Sequence, residues 1–285
     1  MAGVWAISRI WSHWKYLILE KGYMEQVHEL IVIGAGMAGI GASRTLTQRG
    51  CPHIILESRD RVGGRIYPNQ FAGVEVDIGA TFVHCPKKNN PIAQFMQEEQ
   101  CQSMKALVNS EFYYYEDEGI MNSRKSIDNA EELFDEAIDA ADKKCHNGPQ
   151  DMSLAEAVSD YLSGDLTEEN QQAQDIVYWK LNLEANIEGI ELNEMSARAY
   201  CEEDDHREDD IIPLGGGYPA LLQKLYKSCK TNVEFNTRVV AIDMTGPIIS
   251  LRTQSGKVYQ AKRVISSIPL GILQRNLIQF NPPLP

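Results

Sequence analysis

The stretch LIVIGAGMAGIGASRTLTQRGCPHIILESRDRVGGR, residues 30–65, decides the fold. Leu30-Ile31-Val32-Ile33 is a short apolar run and reads as a strand buried on both faces. Gly34, Gly36 and Gly39 follow as G-x-G-x-x-G. In that spacing the first glycine permits a tight turn and the second lets a pyrophosphate approach the backbone. The third lets the next helix sit close to the strand. That helix, Met37–Arg49, offers free N–H groups and a positive dipole end to phosphate. Gly50 ends it and His53–Leu56 forms the second strand. Glu57 stands at the strand end, about 20 residues past the glycines, where a carboxylate can hold a ribose hydroxyl pair. Strand, turn, helix and acid together imply dinucleotide binding; the glycine turn alone does not separate NAD from FAD.

Working outward, two adjacent glycines, Gly63 and Gly64, lie among Arg59, Arg61 and Arg65. This suits a second backbone approach to phosphate, with Arg65 and either Arg59 or Arg61 neutralising it. Val74–Ile78 alternates like a strand and runs into Gly79-Ala80-Thr81-Phe82-Val83-His84. A glycine at a strand end allows close approach by a flat ring. Asn90-Pro91 then reads as N-cap and first residue of a helix.

The middle of the chain is helical in pattern. Ala130, Leu133, Phe134, Ala137, Ile138 and Ala141 share one helix face. Ser153-Leu154-Ala155-Glu156 is a capping box, with Leu154, Ala157, Val158, Tyr161 and Leu162 expected inward. Thr167 is expected to cap a third helix running through Ile176, Val177, Tyr178 and Leu181. Cys201–Asp210 reads as a loop with seven acids in ten residues.

From Ile211 the pattern reverts. Leu214–Pro219 reads as a glycine loop with Pro219 at the first position of a helix over Ala220–Cys229. Val233–Phe235, Arg238–Met244, Ile248–Arg252 and Val258–Ala261 read as short strands, and Arg263–Pro269 as a further apolar strand. The expected fold is α/β: a Rossmann-like dinucleotide-binding domain, residues 28–86 and 209–285, interrupted by a largely helical insert at 87–208.

The 285 residues are 43% hydrophobic and 24% charged, ordinary for a globular protein large enough for two packed units. The net charge of -13 argues against a nucleic-acid partner. Residues 111–210 hold 29 of the 40 acidic side chains and 7 of the 27 Lys plus Arg. That charge either solvates helix faces or steers a cationic ligand. Cys51, Cys85, Cys101, Cys145, Cys201 and Cys229 show no metal-ligand spacing and imply reduced thiols inside a cell, the cytoplasm favoured. No apolar run reaches membrane-spanning length, so membrane association is not expected. Residues 1–27, with Trp5, Trp11 and Trp14, stand outside the fold: a targeting or membrane-surface segment, or an upstream extension with Met24 as the functional start, the second being favoured.

G-A-G-M-A-G, E-S-R-D-R-V-G-G-R, D-I-G-A-T-F-V-H, P-L-G-G-G-Y-P-A-L, F-N-T-R-V-V-A-I and I-S-S-I-P-L-G-I-L resemble the FAD-binding half of flavin-dependent amine oxidases. Y-W-K-L-N-L-E-A-N, D-M-S-L and L-I-Q-F-N-P-P-L-P resemble the polyamine oxidase branch. The resemblance covers roughly residues 28–285. It implies FAD as cofactor, with Gly34, Gly36, Gly39, Glu57, Arg59, Gly63, Gly64 and Arg65 at its ADP and pyrophosphate. Gly79, Ala80 and Thr81 would lie near the flavin ring, and Val239 would meet the adenine through its backbone. His84 would sit at the mouth of the amine tunnel and Glu184 would be a tunnel carboxylate. For His84 a packed structural role is the equal alternative.

The implied chemistry is oxidation of a C–N bond in an amine of the spermine and spermidine class, with imine hydrolysis and peroxide formation by dioxygen. The family's second half of the substrate domain, its lysine and its last flavin segment are expected beyond Pro285, so no catalytic residue is assigned and this chain is expected to be an incomplete N-terminal part. The alternatives are a flavin oxidase of a monoamine, an amino acid, N-methyl-lysine or an isoprenoid ring, and a non-catalytic FAD- or nucleotide-binding fragment.

Overall fold

A computed structural model describes residues 26–87, 89–106, 114–116, 119–121, 124–147, 151–162, 168–202 and 210–284. The first 25 residues, Thr167 and 203–209 of the acidic loop lie outside the described residues. The described residues of Met1–Ala106 and Asp209–Pro285 form one compact unit, and those of Leu107–Glu208 a second.

The first unit opens with strand β1 (Val27–Ile33), helix α1 (Met37–Gln48), β2 (Ile54–Leu56), the ribbon β3 (Pro68–Phe71) and β4 (Val74–Asp77), helix α2 (Pro91–Glu98) and β5 (Ser103–Lys105). The second unit holds a hairpin, β6 (Tyr114–Glu116) and β7 (Gly119–Met121), then helices α3 (Arg124–Asn147), α4 (Leu154–Leu162), α5 (Glu168–Glu188) and α6 (Ala197–Cys201). The chain returns through β8 (Ile211–Pro213), α7 (Gly217–Lys227), β9 (Asn232–Glu234), β10 (Val239–Asp243), β11 (Ile249–Thr253), β12 (Val258–Ser266), α8 (Leu270–Gln274) and β13 (Gln279–Asn281).

The central sheet runs β13-β10-β11-β12-β1-β2-β9. β12, β1, β2 and β9 are mutually parallel, while β11 pairs antiparallel with both neighbours. β1 is buried on both faces, as its unbroken apolar run requires. Leu30 and Val32 pack with Ile40, Phe95, Leu221 and Leu225 on one side, and Ile31 and Ile33 with Val239, Leu251 and Tyr259 on the other. Helix α1 crosses from β1 to its neighbour β2, and the next neighbour on β1's other side is β12. The carboxyl end of β1 is therefore a topological switch point, where open α/β sheets bind ligands.

Several expectations need correction. The insert begins at 107 rather than 87, because Phe95 and Met96 of α2 belong to the first unit's core and β5 pairs with β8. The strands expected at Val258–Ala261 and Arg263–Pro269 are one continuous β12 that ends at Ser266. Its polar Lys262 and Arg263 are accommodated by Glu29 on β1, at 2.7 and 2.8 Å. Helix α7 starts at Gly217, so Pro219 is its third residue. Asn90 caps α2 as expected, accepting from the N–H groups of Ile92 (2.8 Å) and Ala93 (3.2 Å).

In the second unit Ser153 Oγ accepts from Glu156 N at the start of α4. Ala130, Ala137 and Ala141 of α3 pack with Leu154, Ala157, Val158 and Leu162 of α4 and Ile176, Val177 and Leu181 of α5. Tyr161, expected inward, is exposed, and its hydroxyl donates to Glu136 on α3. Among the described residues no helix is long and apolar enough to cross a membrane.

Candidate cofactor site

The end of β1 opens into a cleft of about 1130 Å³, which lies wholly within the first unit. Gly34 leaves the strand at φ +98°, and a Cβ there would lie 2.6 Å from Ser267 Oγ. Ser267, at the end of β12, closes the turn by donating to Ile33 O at 2.7 Å. Gly39 is the packing glycine: an added Cβ would lie 1.9 Å from Gly34 O. It sits beneath the turn and does not line the cleft. Gly36 faces open space on the cleft side, with only the Cα of Gly64 within 4.0 Å of an added Cβ. The first and second glycine turns are thus in contact: Gly36 and Gly63 form a parallel bridge, and Gly63 N donates to Ala35 O at 2.8 Å.

Glu57 is buried, and both its carboxylate oxygens are engaged. Oε2 accepts from Ala35 N at 2.6 Å; Oε1 accepts from Arg59 N at 2.8 Å and from Ser58 Oγ at 3.2 Å. The acid ties the glycine turn to the end of β2 and still lines the cleft. Arg59 Nη1 and Arg61 Nη2 both donate to Gly64 O at 3.0 Å. Arg65 is exposed, lines the cleft and has no side-chain hydrogen bond or ion pair among the described residues.

Gly79 follows β4 and lies against the second turn: its added Cβ would be 1.8 Å from Arg65 O, and Ala80 N donates to that oxygen at 3.2 Å. Ala80 lines the cleft; Gly79 and Thr81 do not, and Thr81 Oγ1 donates to Gly79 O at 3.3 Å. Val239 is buried at the start of β10 and lines the far wall. Sequence reasoning missed Ser267, Arg238 and Tyr218, which also line the cleft. The polar pair Ser266-Ser267 ending an apolar strand was the available signal for the first. Burial pushes the Tyr218 phenol up, so it stays neutral.

His84 lies outside the cleft. Its Nδ1 is 2.6 Å from Asp210 Oδ2, and the imidazole is otherwise exposed while the Asp210 side chain is 6% exposed. The pair flanks the bridge between Val83 and Ile211, both within the first unit, close to where the chain returns to it at Asp209. Asp210, read from sequence as the last residue of an acid-rich loop, is a buried anchor. Glu184 is half-buried on α5, in the second unit.

These residues fit a dinucleotide diphosphate. Helix α1 has no side-chain cap, so its first N–H groups, at Met37 and Ala38, open into the cleft. A bare glycine backbone at Gly36 and Gly64 and an uncommitted guanidinium at Arg65 lie beside them.

Comparison with known proteins agrees. The family described as flavin containing amine oxidoreductase matches residues 37–285. Lysine-specific histone demethylase 2 of Homo sapiens is 31% identical over 94% of this chain and 33% of its own length. Polyamine oxidase 4 of Oryza sativa subsp. japonica is 27% identical over 90% of this chain and 54% of its own. A solved structure of putrescine oxidase bound to putrescine shares the fold, with a TM-score of 0.65 at 19% identity over 91% of this chain and 62% of that one. The chain therefore spans from a third to about half the length of these curated relatives. Its cofactor is FAD. With the match running from the first turn of α1 to the last residue, the chain belongs to the flavin containing amine oxidoreductase family.

Proposed function

We propose that this chain is the FAD-binding part of an oxidase of polyamines. The observation that carries the cofactor half of this reading is the uncapped start of α1 facing the same cleft as Gly36, Gly64 and Arg65. Gly34 and Gly36 with the α1 N-terminus would hold the diphosphate, Gly39 would keep the helix close enough to do so, and Arg59, Gly63, Gly64 and Arg65 would complete that contact. Glu57 would take the adenosine ribose and Val239 the adenine. Gly79, Ala80 and Thr81 would border the flavin ring. Bound FAD supplies the two-electron acceptor for oxidising a C–N carbon. The protein's part is to bind the amine, orient it and exclude water.

For the substrate half, the support is the excess of carboxylates in residues 111–210 and the relatedness to plant polyamine oxidases. A flexible polycation gains Coulomb energy from partly desolvated carboxylates. Glu184 in the second unit and, separately, His84 in the first are the substrate contacts we assign. The second reading, oxidation of N-methyl-lysine, is favoured by the 31% identity to the human histone demethylase. Peroxide release by the full-length protein separates them. Turnover of spermine, spermidine or their N-acetyl forms supports the first reading. Turnover of a dimethyl-lysine peptide with none of these polyamines supports the second, and turnover of a simple monoamine alone overturns both.

A further inference from the structure

We infer that the two arginines of the second glycine turn have different jobs: Arg61 is a positioning residue that shapes the turn, and Arg59 is the one that moves to the cofactor diphosphate. This rests on the FAD reading of the cleft. Spacing and charge alone leave the two interchangeable, since both lie within a few residues of Gly63 and Gly64; the resemblance implies Arg59 at the diphosphate and gives Arg61 no role. The structure separates them. Arg61 is half-buried, and its guanidinium serves three carbonyls: Val62 O at 3.1 Å, Ile66 O at 3.2 Å and Gly64 O at 3.0 Å. It also lies 4.3 Å above the ring of Tyr67, and its Nη1 would be 3.2 Å from a Cβ at Gly63.

Arg61 therefore fills the inside of the loop from 62 to 66 and holds its carbonyls inward. A planar five-donor group stacked on a ring suits that task, and a lysine does not. Arg61 is absent from the cleft lining. Arg59 reaches the same Gly64 O from the exposed side through Nη1 at 3.0 Å, and it does line the cleft. Because Arg61 already satisfies Gly64 O, Arg59 can leave that carbonyl without orphaning it. The arriving diphosphate offers Arg59 a charge-assisted bond in place of a neutral one.

The test is FAD affinity of the stripped full-length protein at low and high salt, for Arg59→Gln, Arg61→Gln and Arg61→Lys. A lost phosphate contact weakens binding and flattens its salt dependence; a lost positioning contact weakens binding and leaves the salt dependence alone. We expect Arg59→Gln to do the first. We expect Arg61→Gln to do the second, by about tenfold or more, with no rescue by Arg61→Lys. Flattening of the salt dependence in Arg61→Gln, or an affinity within about twofold of wild type, overturns the assignment. If Arg61→Gln does not fold, Tyr67→Leu removes the stacked ring while keeping every carbonyl contact, and the same two outcomes decide. Hydrogen exchange across residues 61–67 of the flavin-free protein is the independent arm. Faster exchange in Arg61→Gln than in Arg59→Gln is expected, and equal protection overturns the assignment. Failure of wild type to bind FAD would sink the flavin reading and leave this second measurement standing.

Discussion

The carboxylate of Glu57 accepts a 2.6 Å hydrogen bond from the backbone N–H of Ala35, the residue between the first two glycines of the turn. One side chain thus joins the end of β2 to the loop after β1, and its other oxygen is held by Arg59 N. Glu57→Ala should cost about 2 kcal/mol of stability even without cofactor, because buried N–H groups lose a charged acceptor. Denaturant midpoints of the flavin-free protein check this. An unchanged midpoint would reduce Glu57 to a ligand contact only.

Two glycines on one helix predict opposite effects. A Cβ at Gly39 would lie 1.9 Å from Gly34 O, whereas a Cβ at Gly41 meets nothing within 4 Å. Gly39→Ala should destabilise by about 1–3 kcal/mol or more through forced backbone movement. Gly41→Ala should stabilise the flavin-free protein by up to about 1 kcal/mol, since glycine is a poor helix former. Thermal melts of the two variants against wild type decide; equal melting temperatures for the pair would contradict both.

The contrast between these glycines shows why part of the site was readable in advance. Gly34 and Gly39 act through sterics within a few residues of chain, and their spacing alone carries that information. The partner of Glu57 was not readable: Ala35 contributes only an N–H, which every non-proline residue has, so the acid was assigned solely to a ribose. The split between Arg59 and Arg61 depends on where Tyr67 lies after the turn, which spacing does not encode. β12 was divided at Lys262 and Arg263 because their partner Glu29 lies on a strand more than two hundred residues earlier. Asp210 is one of seven acids in a ten-residue loop by sequence, and only the chain's return path places it beside His84.

In the second unit, Asp151 accepts from Ser196 Oγ at 2.6 Å and from Met152 N at 2.9 Å. The Ser196 hydroxyl, opposed by burial and helped by the Arg198 and Met152 N–H groups, holds its carboxyl below the usual 3.8. A depressed folded pKa stabilises fully above the unfolded value and is lost as pH falls through the folded one. Asp151→Asn should therefore be less stable than wild type at pH 7, with the gap closing below about pH 3.8. Urea midpoints at both pH values test it; a gap independent of pH would show that Asp151 contributes no charged interaction.

His84 and Asp210 pair two segments of the first unit that lie 126 residues apart in sequence. Removing the imidazole leaves a carboxylate that is 6% exposed with, among the described residues, one weak donor, Cys85 N at 3.4 Å. His84→Ala should cost about 1–3 kcal/mol. Chemical denaturation measures it, and His84→Ala combined with Asp210→Ala should recover part of the loss, since no buried charge then remains unpaired. If the double variant is as unstable as the sum of the singles, the pair is not coupled.

Glu184 carries the substrate proposal most directly. It lies in α5, flanked by Leu183 and Ala185, with its side chain half-buried. A carboxylate that binds a remote ammonium group of a polyamine interacts equally with ground and transition states, so its loss should raise KM and spare kcat. Glu184→Gln in the full-length protein should raise KM for spermine by about tenfold, equivalent to about 1.4 kcal/mol. A monoamine, which lacks the second charge, should show no such change. An unchanged KM for spermine would remove Glu184 from the amine path, and a fall in kcat alone would move it to the chemical step.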